Sequence, residues 1–594
     1  MKKVKKLALT VAAGIMAFSM TGCGSGSGTV SEDHTYTVWF YSAQDASYYT
    51  DYADNPTIQY LLSRTWGEND DRIALEFQVP PAGSQQNNYD TMIATGDFPI
   101  LLQNSVADAA PRMLESEMIL DITDLVEEYM PTYYGLLQEN QALRSKAVYE
   151  IDGEDRILGI YGLNEDYKYY FAGTMYRRDW LVKYGKNPQT GAAFTGGYTN
   201  PDDLDSWEDD VVFPSGGTDP VYISDWEWMF EIFSEALADQ GITDSYCTSI
   251  YYPGFMWTGG LCSCFGEAIP IWYKGSDDVV RFGGDTTSMR AYLQCLNNWY
   301  EKGWLDPDFN ERTADIFYAT DDTNKRLGRV PMWLGTQAEL GGRLDMHDGG
   351  LTEGIYVAGC SWPINDVYGD DSCKNVEPRA LQSSTSLAGG GFYVMEGAQE
   401  KDLGPLLAML DYLYTEEGAV LHTLGATPAQ LEEAGLDTSF YQNNGIENGT
   451  YTVEENGAYR YKKVDAIVND SGALLMATSG EKLPGYTLIS SVDQGYAETY
   501  ENSLKAWIKY PNQGQIWGSD AMSLMSTEDM NELGNLLTKV LGYMEQHTYE
   551  FIKGTLDIDS EEDWGNWCTM MKKYNYQRGT EIFQPYIDQN PFVE

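Results

Sequence analysis

The stretch YTVWFY, at residues 36–41, predicts the first strand of an α/β fold, because it consists mainly of β-branched and aromatic residues. The polar sequence Ser-Ala-Gln-Asp follows it and predicts a loop at the end of the strand. A predicted helix at residues 57–66 separates it from a second predicted strand, IALEFQV, at residues 73–79. Strands that alternate with helices favour a sheet with helices packed against it.

Further helices are predicted where apolar residues recur at helical spacing and a glycine follows. A helix that ends at Gly96 precedes a short strand at residues 100–102. Helices are also predicted at residues 225–239, 286–302 and 403–417, and a glycine follows each within two residues.

Composition predicts the organisation of two other segments. The C-terminal part, from Asn531 onward, is predicted to be helical with breaks near Gly554 and Gly579. The acidic segment at residues 202–219 contains proline and glycine and shows no structural periodicity. We therefore expect that segment to be a surface insertion.

The N-terminus reads MKKVKKLALTVAAGIMAFSMTGCGSGSG and has the pattern of an export signal. Four lysines in the first six residues precede an apolar run at residues 7–20, which is too short to span a bilayer. The sequence MTGC at residues 20–23 resembles the lipobox of bacterial lipoproteins. That resemblance implies removal of the signal before Cys23 and attachment of lipid to this cysteine.

These features predict a signal peptide at residues 1–22 and a lipidated, flexible tether at residues 23–34. The alternative is a plain secretory signal with an incidental thiol at Cys23. In both cases the remainder of the chain is expected to work outside the cytoplasm.

The chain is strongly acidic, with 38 lysines and arginines against 90 aspartates and glutamates and a net charge of −52. Binding to nucleic acid or to anionic headgroups needs clustered basic residues, so we expect no nucleic-acid partner and membrane contact through the lipid only. Aromatic residues make up 13% of the chain, with 44 tyrosines and 16 tryptophans, which excludes a disordered acidic polymer and predicts a large core.

Motifs for metal binding and catalysis are absent from the sequence. Seven of the eight cysteines follow Cys23, and Cys262-Ser263-Cys264 lacks zinc-site spacing, so either buried thiols or one or two disulfides are expected. The four histidines form no HExxH motif, and neither a P-loop nor a GxSxG elbow occurs. We therefore predict no metal and no cofactor. A catalytic carboxylate pair stays open, because glycoside hydrolysis needs only two acidic residues.

Eight segments resemble, in order, the extracellular solute-binding proteins of ABC importers, specifically the large sugar-binding lipoproteins of family 1. They are ATGDFP, LDITDLVEEYMPTYYGLL, YEIDGEDRILGIYG, MYRRDWLVKYG, WYEKGWLDPDF, LLAMLDYLYTEEGAVLHTLG, NNGIENGTY and FIKGTLDI. The resemblance departs from the family pattern at Ile100, where many members have aspartate. Together the segments span nearly the whole chain after the tether.

The resemblance implies a two-lobed, periplasmic-binding-protein-like fold of type II. Each lobe is a mixed sheet flanked by helices, and the ligand cleft lies between the lobes. The chain is expected to cross between them more than once. Lobe 1 then takes residues 35–170 and 379–480, and lobe 2 takes residues 171–378 and 481–594.

A sugar needs aromatic side chains for its ring faces and polar groups for its hydroxyls, and loops at strand ends are where open α/β sheets bind ligands. Core packing is the alternative role for each aromatic residue, and turn formation is the alternative for aspartate. Trp39 is predicted to be core, since it lies deeper in its strand. The predicted ligand-binding residues are Tyr41, Asp97, Trp257, Trp333 and Trp362.

The resemblance and the sequence together predict a monomeric, lipid-anchored binding protein. It would capture a carbohydrate, expected to be an oligosaccharide, by hinge closure on the outer side of the bacterial cell membrane. The partners would be the ligand and the permease subunits of an ABC transporter, and no enzymatic activity is expected. Two alternatives are a surface-anchored glycoside hydrolase and a binding protein for another solute, such as a peptide.

Overall fold

The computed structural model describes residues 30–589 of the chain. Its description omits residues 42–47, 82, 105–108, 166–171, 201–205, 251–258, 267–270, 276, 312–328, 337–354, 379–390, 456, 463, 469–472, 490, 494–497 and 511–524. Within the described ranges, strands and helices alternate from residue 35 to residue 103, and later parts of the chain contain runs of consecutive helices or consecutive strands.

The strands of the described part are short and are numbered in chain order. They are β1 (Thr35–Trp39), β2 (Ala74–Gln78), β3 (Leu101–Gln103), β4 (Val148–Ile151), β5 (Glu154–Ile157), β6 (Leu163–Asn164), β7 (Ala172–Arg177), β8 (Gly196–Tyr198), β9 (Trp207–Asp209), β10 (Trp272–Lys274), β11 (Val280–Phe282), β12 (Met332–Thr336), β13 (Val357–Cys360), β14 (Phe392–Val394), β15 (Tyr451–Val453), β16 (Tyr459–Tyr461), β17 (Tyr486–Thr487) and β18 (Val492–Asp493).

The α-helices of the described part surround these strands. They are α1 (Pro56–Ser63), α2 (Gln85–Thr95), α3 (Ala110–Glu115), α4 (Thr123–Tyr129), α5 (Pro131–Glu139), α6 (Gln141–Ala147), α7 (Arg178–Tyr184), α8 (Ile223–Asp239), α9 (Gly259–Cys262), α10 (Thr287–Glu301), α11 (Gly404–Tyr412), α12 (Glu416–Leu424), α13 (Pro428–Glu433), α14 (Ser439–Asn443), α15 (Asp465–Val468), α16 (Ala473–Thr478), α17 (Glu498–Trp507), α18 (Thr527–Ile552), α19 (Glu561–Lys573) and α20 (Tyr576–Gln589). None of these helices combines the length and the apolar character that crossing a membrane requires.

The first sheet has four strands in the order β14-β3-β1-β2. β1 is parallel to β2 along its whole length and also parallel to β3, where Val38 lies opposite Leu101. β14 is antiparallel to β3, with Phe392 opposite Gln103. Parallel neighbours need a crossover connection, and α1 and α2 provide it, as the predicted alternation of strands and helices implies.

Successive side chains of β1 point to opposite faces of the first sheet, and both faces include buried side chains. Tyr36 and Val38 are fully buried in one hydrophobic cluster, and Trp39 lies in a separate cluster. Trp39 is 1% exposed, and its Nε1 donates a hydrogen bond to Asn88 Oδ1 at 2.7 Å. The prediction that Trp39 is a core residue is therefore confirmed.

The second sheet has three antiparallel strands in the order β12-β7-β13. Trp333 of β12 lies opposite Met175 of the central strand. α17 packs against this sheet, and Trp507 Nε1 donates a hydrogen bond to Thr174 O at 2.9 Å. The central strand is thus enclosed by its two neighbours and by a helix.

The buried hydrophobic side chains fall into two groups along the chain. One cluster, which we call the second core, takes its residues from 175–373 and 504–587. Two clusters that involve the first sheet, which we together call the first core, take theirs from 36–163 and 392–483. The exact lobe borders given above stay a prediction.

The chain passes between the two cores at several points. β6, whose Leu163 is in the first core, precedes β7 of the second core. β6 also pairs in parallel with β17, with Leu163 opposite Tyr486 and Asn164 opposite Thr487. After β17 the chain reaches α17, whose Leu504 lies in the second core. Two connections between the cores therefore begin at neighbouring strands.

The predicted helices at residues 225–239 and 286–302 are confirmed as α8 and α10, to within two residues at each end. The predicted helix at residues 403–417 is wrong at its C-terminal end. α11 ends at Tyr412, α12 begins at Glu416, and Gly418 therefore lies inside a helix. A Cβ at Gly418 would lie only 1.8 Å from Tyr412 O, so glycine permits a close approach there and does not end a helix.

Of the two breaks predicted in the C-terminal helices, the structure has one. The predicted break near Gly554 is confirmed, because it separates α18 from α19. The predicted break at Gly579 is wrong, because this residue lies within α20. A Cβ at Gly579 would lie 2.2 Å from the Trp272 ring, so glycine permits a close approach there. The actual break is at Asn575, which has the left-handed φ of 59°.

The acidic segment at residues 202–219 is not a simple surface insertion in its described part, residues 206–219. β9 pairs with β8, and Val211 and Phe213 are fully buried. Asp209 accepts hydrogen bonds from the buried Arg178, from Nε at 2.6 Å and from Nη2 at 2.9 Å. A carboxylate within an acidic run is therefore the partner of a buried guanidinium.

The seven cysteines after Cys23 are all free thiols. Six are buried, and Cys568 is half-buried. Of the two alternatives that the sequence left open, the structure has the buried thiols.

Candidate ligand-binding site at the carboxyl edge of the first sheet

The carboxyl ends of β1 and β3 lie side by side, because the two strands are parallel neighbours. Tyr41 follows β1, Gln103 ends β3, and Asn104 comes next; all three are half-buried. Tyr161 contacts Asn104 from a neighbouring segment. Ligands of open α/β sheets bind outside the carboxyl ends of the strands. We call these four residues the edge site.

Backbone and side-chain hydrogen bonds hold the two amide side chains in place. Gln103 Oε1 accepts a hydrogen bond from Tyr41 N at 2.9 Å. Asn104 N donates to Gly391 O at 2.9 Å, and Asn104 Nδ2 donates to Tyr161 OH at 3.2 Å. Among the described residues, neither Gln103 Nε2 nor Asn104 Oδ1 has a partner. One donor group and one acceptor group therefore remain for a ligand.

Tyr161, which accepts the hydrogen bond from Asn104, is 8% exposed. Burial, followed by the neighbouring Tyr393, raises the pKa of the Tyr161 hydroxyl well above its usual value. The hydroxyl therefore stays neutral and can both donate and accept hydrogen bonds. Tyr133 OH accepts from Tyr161 N at 3.0 Å and donates to Gly159 O at 3.1 Å, which fixes the backbone of this segment.

The structure places the predicted residue Tyr41 in the edge site and Asp97 elsewhere. Asp97 is exposed and follows Gly96, which ends α2 in the left-handed conformation with φ 69°. Since Asp97 precedes β3, it lies at the amino end of that strand, whereas the edge site lies at the carboxyl end. The structure does not bring these two predicted residues together.

The predicted residues Trp333 and Trp362 belong to the second core. Trp333 is 4% exposed within β12, and Trp362 is 8% exposed two residues after β13. The ring centroid of Trp362 lies 6.3 Å from that of Trp226. This environment is that of packed side chains, and the predicted ligand role of both tryptophans stays a prediction.

Trp362 lies near the point where the chain enters the second core from the first. β13 runs antiparallel to β7, with Cys360 opposite Thr174, so the carboxyl end of β13 lies near the start of β7. The chain enters the second core from the first at the start of β7. The buried Nε1 of the adjacent Trp226 has no hydrogen-bond partner among the described residues. Trp257 and Cys23, also predicted as functional residues, lie outside the described residues.

Three residues of the edge site were not among the predicted ligand-binding residues: Gln103, Asn104 and Tyr161. A signal for the first two is present, because the amides directly follow the buried strand residues in the sequence LLQN at 101–104. The predicted residues were aromatic residues and one aspartate, so these two amides were missed. Tyr161 follows no predicted strand, and its role arises from its contact with Asn104.

One group of possible metal ligands occurs in the described part of the chain: His34, Asp71 and Asp402. His34 Nδ1 lies 3.8 Å from Asp71 Oδ1, and His34 Nε2 lies 3.4 Å from Asp402 Oδ2. Different ring nitrogens therefore face the two carboxylates. This arrangement suits a histidine between two acids better than a single ion that all three residues coordinate.

Three solved structures with similar folds cover nearly the whole chain. An extracellular solute-binding protein from Bifidobacterium longum subsp. infantis has a TM-score of 0.62 and 15% identity, with 95% of this chain and 100% of that chain covered. The S. pneumoniae ABC-transporter substrate-binding protein FusA in complex with kestose has a TM-score of 0.61 and 14% identity, with coverage of 94% and 100%. An HMO-binding, ABC-transporter-associated solute-binding protein from Bifidobacterium longum infantis has a TM-score of 0.61 and 15% identity, with coverage of 93% and 98%.

These likenesses establish the fold. The chain has the two-lobed architecture of the solute-binding proteins, and the predicted fold class is confirmed. No sequence-family model matches the chain, and none of the curated proteins compared with it matches either.

Proposed function

We propose that the protein is a substrate-binding protein that captures a carbohydrate between its two lobes and delivers it to an ABC importer. The observation that carries this proposal is the similarity of fold, over at least 93% of the chain, to binding proteins of ABC transporters. FusA is in complex with kestose, the Bifidobacterium protein binds HMO, and both are binding proteins associated with ABC transporters. Carbohydrate capture is the function that their shared fold favours.

The chemistry of the edge site supports a hydroxylated, uncharged ligand. Tyr41 offers an aromatic side chain, and the amides of Gln103 and Asn104 offer a donor and an acceptor. Sugar recognition uses this combination, because ring faces pack against aromatic groups and hydroxyls bond with planar amides. None of the four edge-site residues is charged. The edge site alone therefore does not favour a ligand with a formal charge.

The proposed mechanism is closure of the two lobes around the bound sugar. A ligand shifts an open-to-closed equilibrium only to the extent that it makes additional contacts in the closed state. In this proposal the edge site supplies contacts from the first core, and Trp362 belongs to the facing region of the second core. The permease subunits of the transporter would then recognise the closed form.

We propose lobe 1 at residues 35–170 and 379–480 and lobe 2 at residues 171–378 and 481–594. The ranges of the two cores support this division, since the first core takes residues from 36–163 and 392–483. The paired strands β6 and β17 support a hinge, because each precedes a connection into the second core.

We further propose that an oligosaccharide is the ligand, that the protein acts as a monomer, and that a lipid on Cys23 anchors it to the outer side of the cell membrane. The basic and apolar N-terminus with the MTGC sequence supports the anchor. Two acyl signals or more hold a protein stably at a membrane, whereas one chain does so only marginally. Replacing Cys23 with alanine should move the protein from the detergent phase to the aqueous phase or leave it as a precursor. Unchanged partitioning of C23A would contradict the anchor.

The carbohydrate function is tested by a thermal-shift screen of the purified protein against a panel of oligosaccharides, followed by titration calorimetry of the glycans that raise Tm. Asn104→Ala should weaken the affinity about fivefold, because one neutral hydrogen bond contributes about 1 kcal/mol. Asn87→Ala is the matched control, since Asn87 is exposed on α2 and lies outside the edge site.

Binding of peptides without binding of any glycan would contradict the proposal. Turnover of a chromogenic glycoside by the wild-type protein would favour the alternative of a glycoside hydrolase. In that case two carboxylates should lie roughly 5–10 Å apart at the site of cleavage.

A further inference from the structure

A cavity of about 640 Å³ lies beside the paired strands β6 and β17. Its lining shares no residue with the edge site. Small-molecule sites in proteins span roughly 300–1,000 Å³, so the cavity has the volume of a ligand site. The residues that line it include Tyr414, Tyr459, Tyr486, Glu165, Glu416 and Ser491. We call this space the hinge-side cavity.

Glu165 builds one wall of the hinge-side cavity. Its Oε2 accepts hydrogen bonds from Ile489 N and Ser491 N, each at 2.9 Å, and its Oε1 accepts one from Ser491 Oγ. Glu165 N also donates to Thr487 O at 2.8 Å. The carboxylate therefore holds the segment after β17 in a defined shape and is itself compensated by three donors.

Tyrosine side chains from separate elements form the rest of the wall. Tyr414 is 5% exposed, and its hydroxyl donates to Tyr161 O at 2.6 Å, which fixes the ring before the start of α12. Tyr459 of β16 and Tyr486 of β17 are half-buried, so parts of both side chains remain accessible. The cavity thus combines one fixed aromatic ring with two that are partly exposed.

The charges around the cavity exclude an anionic ligand. Two carboxylates line it, and none of its described lining residues is lysine or arginine. A cation is also a poor fit. Glu165 is already compensated by its three hydrogen-bond donors, and Glu416 is exposed in the first turn of α12, where the helix dipole and water stabilise its charge. The aromatic rings and neutral polar groups are what remain for an occupant.

We propose that the hinge-side cavity is a second carbohydrate site, which binds a neutral sugar ring against Tyr459 and Tyr486. Aromatic side chains provide the surface that the C–H face of a sugar needs, and Ser491 and Glu165, which line the same cavity, provide oxygen atoms for its hydroxyls. This site uses no residue of the edge site. Its occupancy therefore does not require the interlobe binding proposed above.

The test separates the two sites by mutation. In the variant Gln103→Ala/Asn104→Ala, both amides of the edge site are removed and the hinge-side cavity is unchanged. Ligand-observed saturation-transfer NMR with D-glucose, D-galactose, lactose and sucrose should still detect binding to this variant. Adding Tyr459→Ala should weaken the remaining affinity about tenfold, the scale expected for loss of one aromatic surface.

Two further variants control for damage to the fold. Tyr461→Ala removes a half-buried tyrosine of the same strand that does not line the cavity, and it should leave the remaining affinity unchanged. Tyr459→Phe keeps the aromatic ring and should retain binding, which a general loss of folding in Tyr459→Ala would not explain.

The proposal is overturned if none of the four sugars binds the edge-site variant while wild type binds glycans, and the interlobe function then stands alone. It is also overturned if Tyr459→Ala and Tyr461→Ala behave alike. Saturation transfer to tetramethylammonium, with none to the sugars, would show that the cavity prefers cations, which contradicts the neutral ligand. If the edge-site variant binds sugar but wild type shows no lobe closure, the cavity proposal stands and the interlobe function fails.

Discussion

The two sheets of the molecule use aromatic residues near strand ends in different ways. At the carboxyl edge of the first sheet, Tyr41 is half-buried beside two amides that retain unbonded polar groups among the described residues. In and after the strands of the second sheet, Trp333 and Trp362 are only 4% and 8% exposed and pack within the second core. The same residue class therefore forms an accessible edge in one region and core in the other.

Topology explains the difference. Parallel strands need crossover helices that cover the faces of the sheet, so the carboxyl ends are left to loops and polar side chains. The second sheet is antiparallel and narrow, and α17 covers it through Trp507. Trp362, which follows β13, is buried against Trp226 of the neighbouring helix α8.

Removing a second-core tryptophan should have the largest effect on stability. Trp362→Ala leaves a cavity among Trp226 and its neighbours, and we expect the second core to lose about 3–5 kcal/mol of unfolding free energy. Hydrogen exchange measured by mass spectrometry reports the loss for each core separately. Tyr41→Ala is the matched comparison and should cost at most about 1 kcal/mol, because Tyr41 is half-buried.

The opposite pattern would remove the contrast between the two sheets. If Trp362→Ala leaves second-core exchange unchanged but abolishes sugar binding, Trp362 is a ligand-stacking residue and its burial reflects the closed form. The same comparison applies to Trp333→Ala, whose side chain is still less exposed.

Acid should loosen the first core before the second. His422 is 2% exposed and bonds through Nε2 to Leu483 O at 3.0 Å, and burial lowers its pKa to about 4. The unfolded chain binds this proton near pH 6.5, so the contribution is complete above that pH and is lost as pH falls towards 4. A shift of this size corresponds to about 3 kcal/mol. First-core exchange should accelerate over this interval, and His422→Gln should remove that part of the dependence.

The second core responds at lower pH. Burial opposes ionisation of Asp209, but the hydrogen bonds and charge of Arg178 outweigh it, and the pKa of the carboxyl is lowered. The stability from this pair is therefore present above the ordinary aspartate pKa and is lost only as pH falls below it. Equal acceleration of both cores between pH 6.5 and 4 would contradict the assignment of the effect to His422.

The sequence could predict the features that depend on residues close together along the chain, and it could not predict those that depend on distant residues. The strand at residues 36–41 and the helices α8 and α10 are encoded locally by residue type and apolar spacing, and they were predicted. Gly418 and Gly579 were misread as helix ends, because the atoms that require glycine, Tyr412 O and the Trp272 ring, are identified only by tertiary packing.

The same limit applies to the candidate site. Tyr41 was predicted because it ends a recognisable strand. Trp362 packs against Trp226 of α8, and Trp333 lies opposite Met175 of β7, so the burial of both depends on residues distant along the chain and residue type alone could not reveal it. The amides of Gln103 and Asn104 were accessible to the same strand-end reasoning, but the bond to Tyr161 was not.

Loss of the Tyr41 side chain should have a smaller effect, on ligand affinity. Removing one half-buried aromatic surface should weaken glycan binding by about 1–2 kcal/mol, or roughly 5- to 30-fold. Titration calorimetry of Tyr41→Ala measures it, and Tyr41→Phe, which keeps the ring, should stay within about threefold of wild type. Equal losses in both variants would assign the contribution to the hydroxyl and not to the aromatic face.

The smallest expected effect concerns the thiols, which occur in the second core and not in the first. The seven cysteines after Cys23 all lie in or against the second core, and the residues of the first core include none. Burial raises the pKa of the Cys247 thiol to about 12, and the pKa of Cys568 is also raised, chiefly by burial. Since the thiolate is the reactive form, iodoacetamide at neutral pH should label the native protein slowly, and a reductant should leave Tm unchanged. Trp362→Ala should speed this labelling by opening the second core, whereas Tyr41→Ala should not. A fall in Tm on reduction would instead reveal a disulfide and contradict the free thiols.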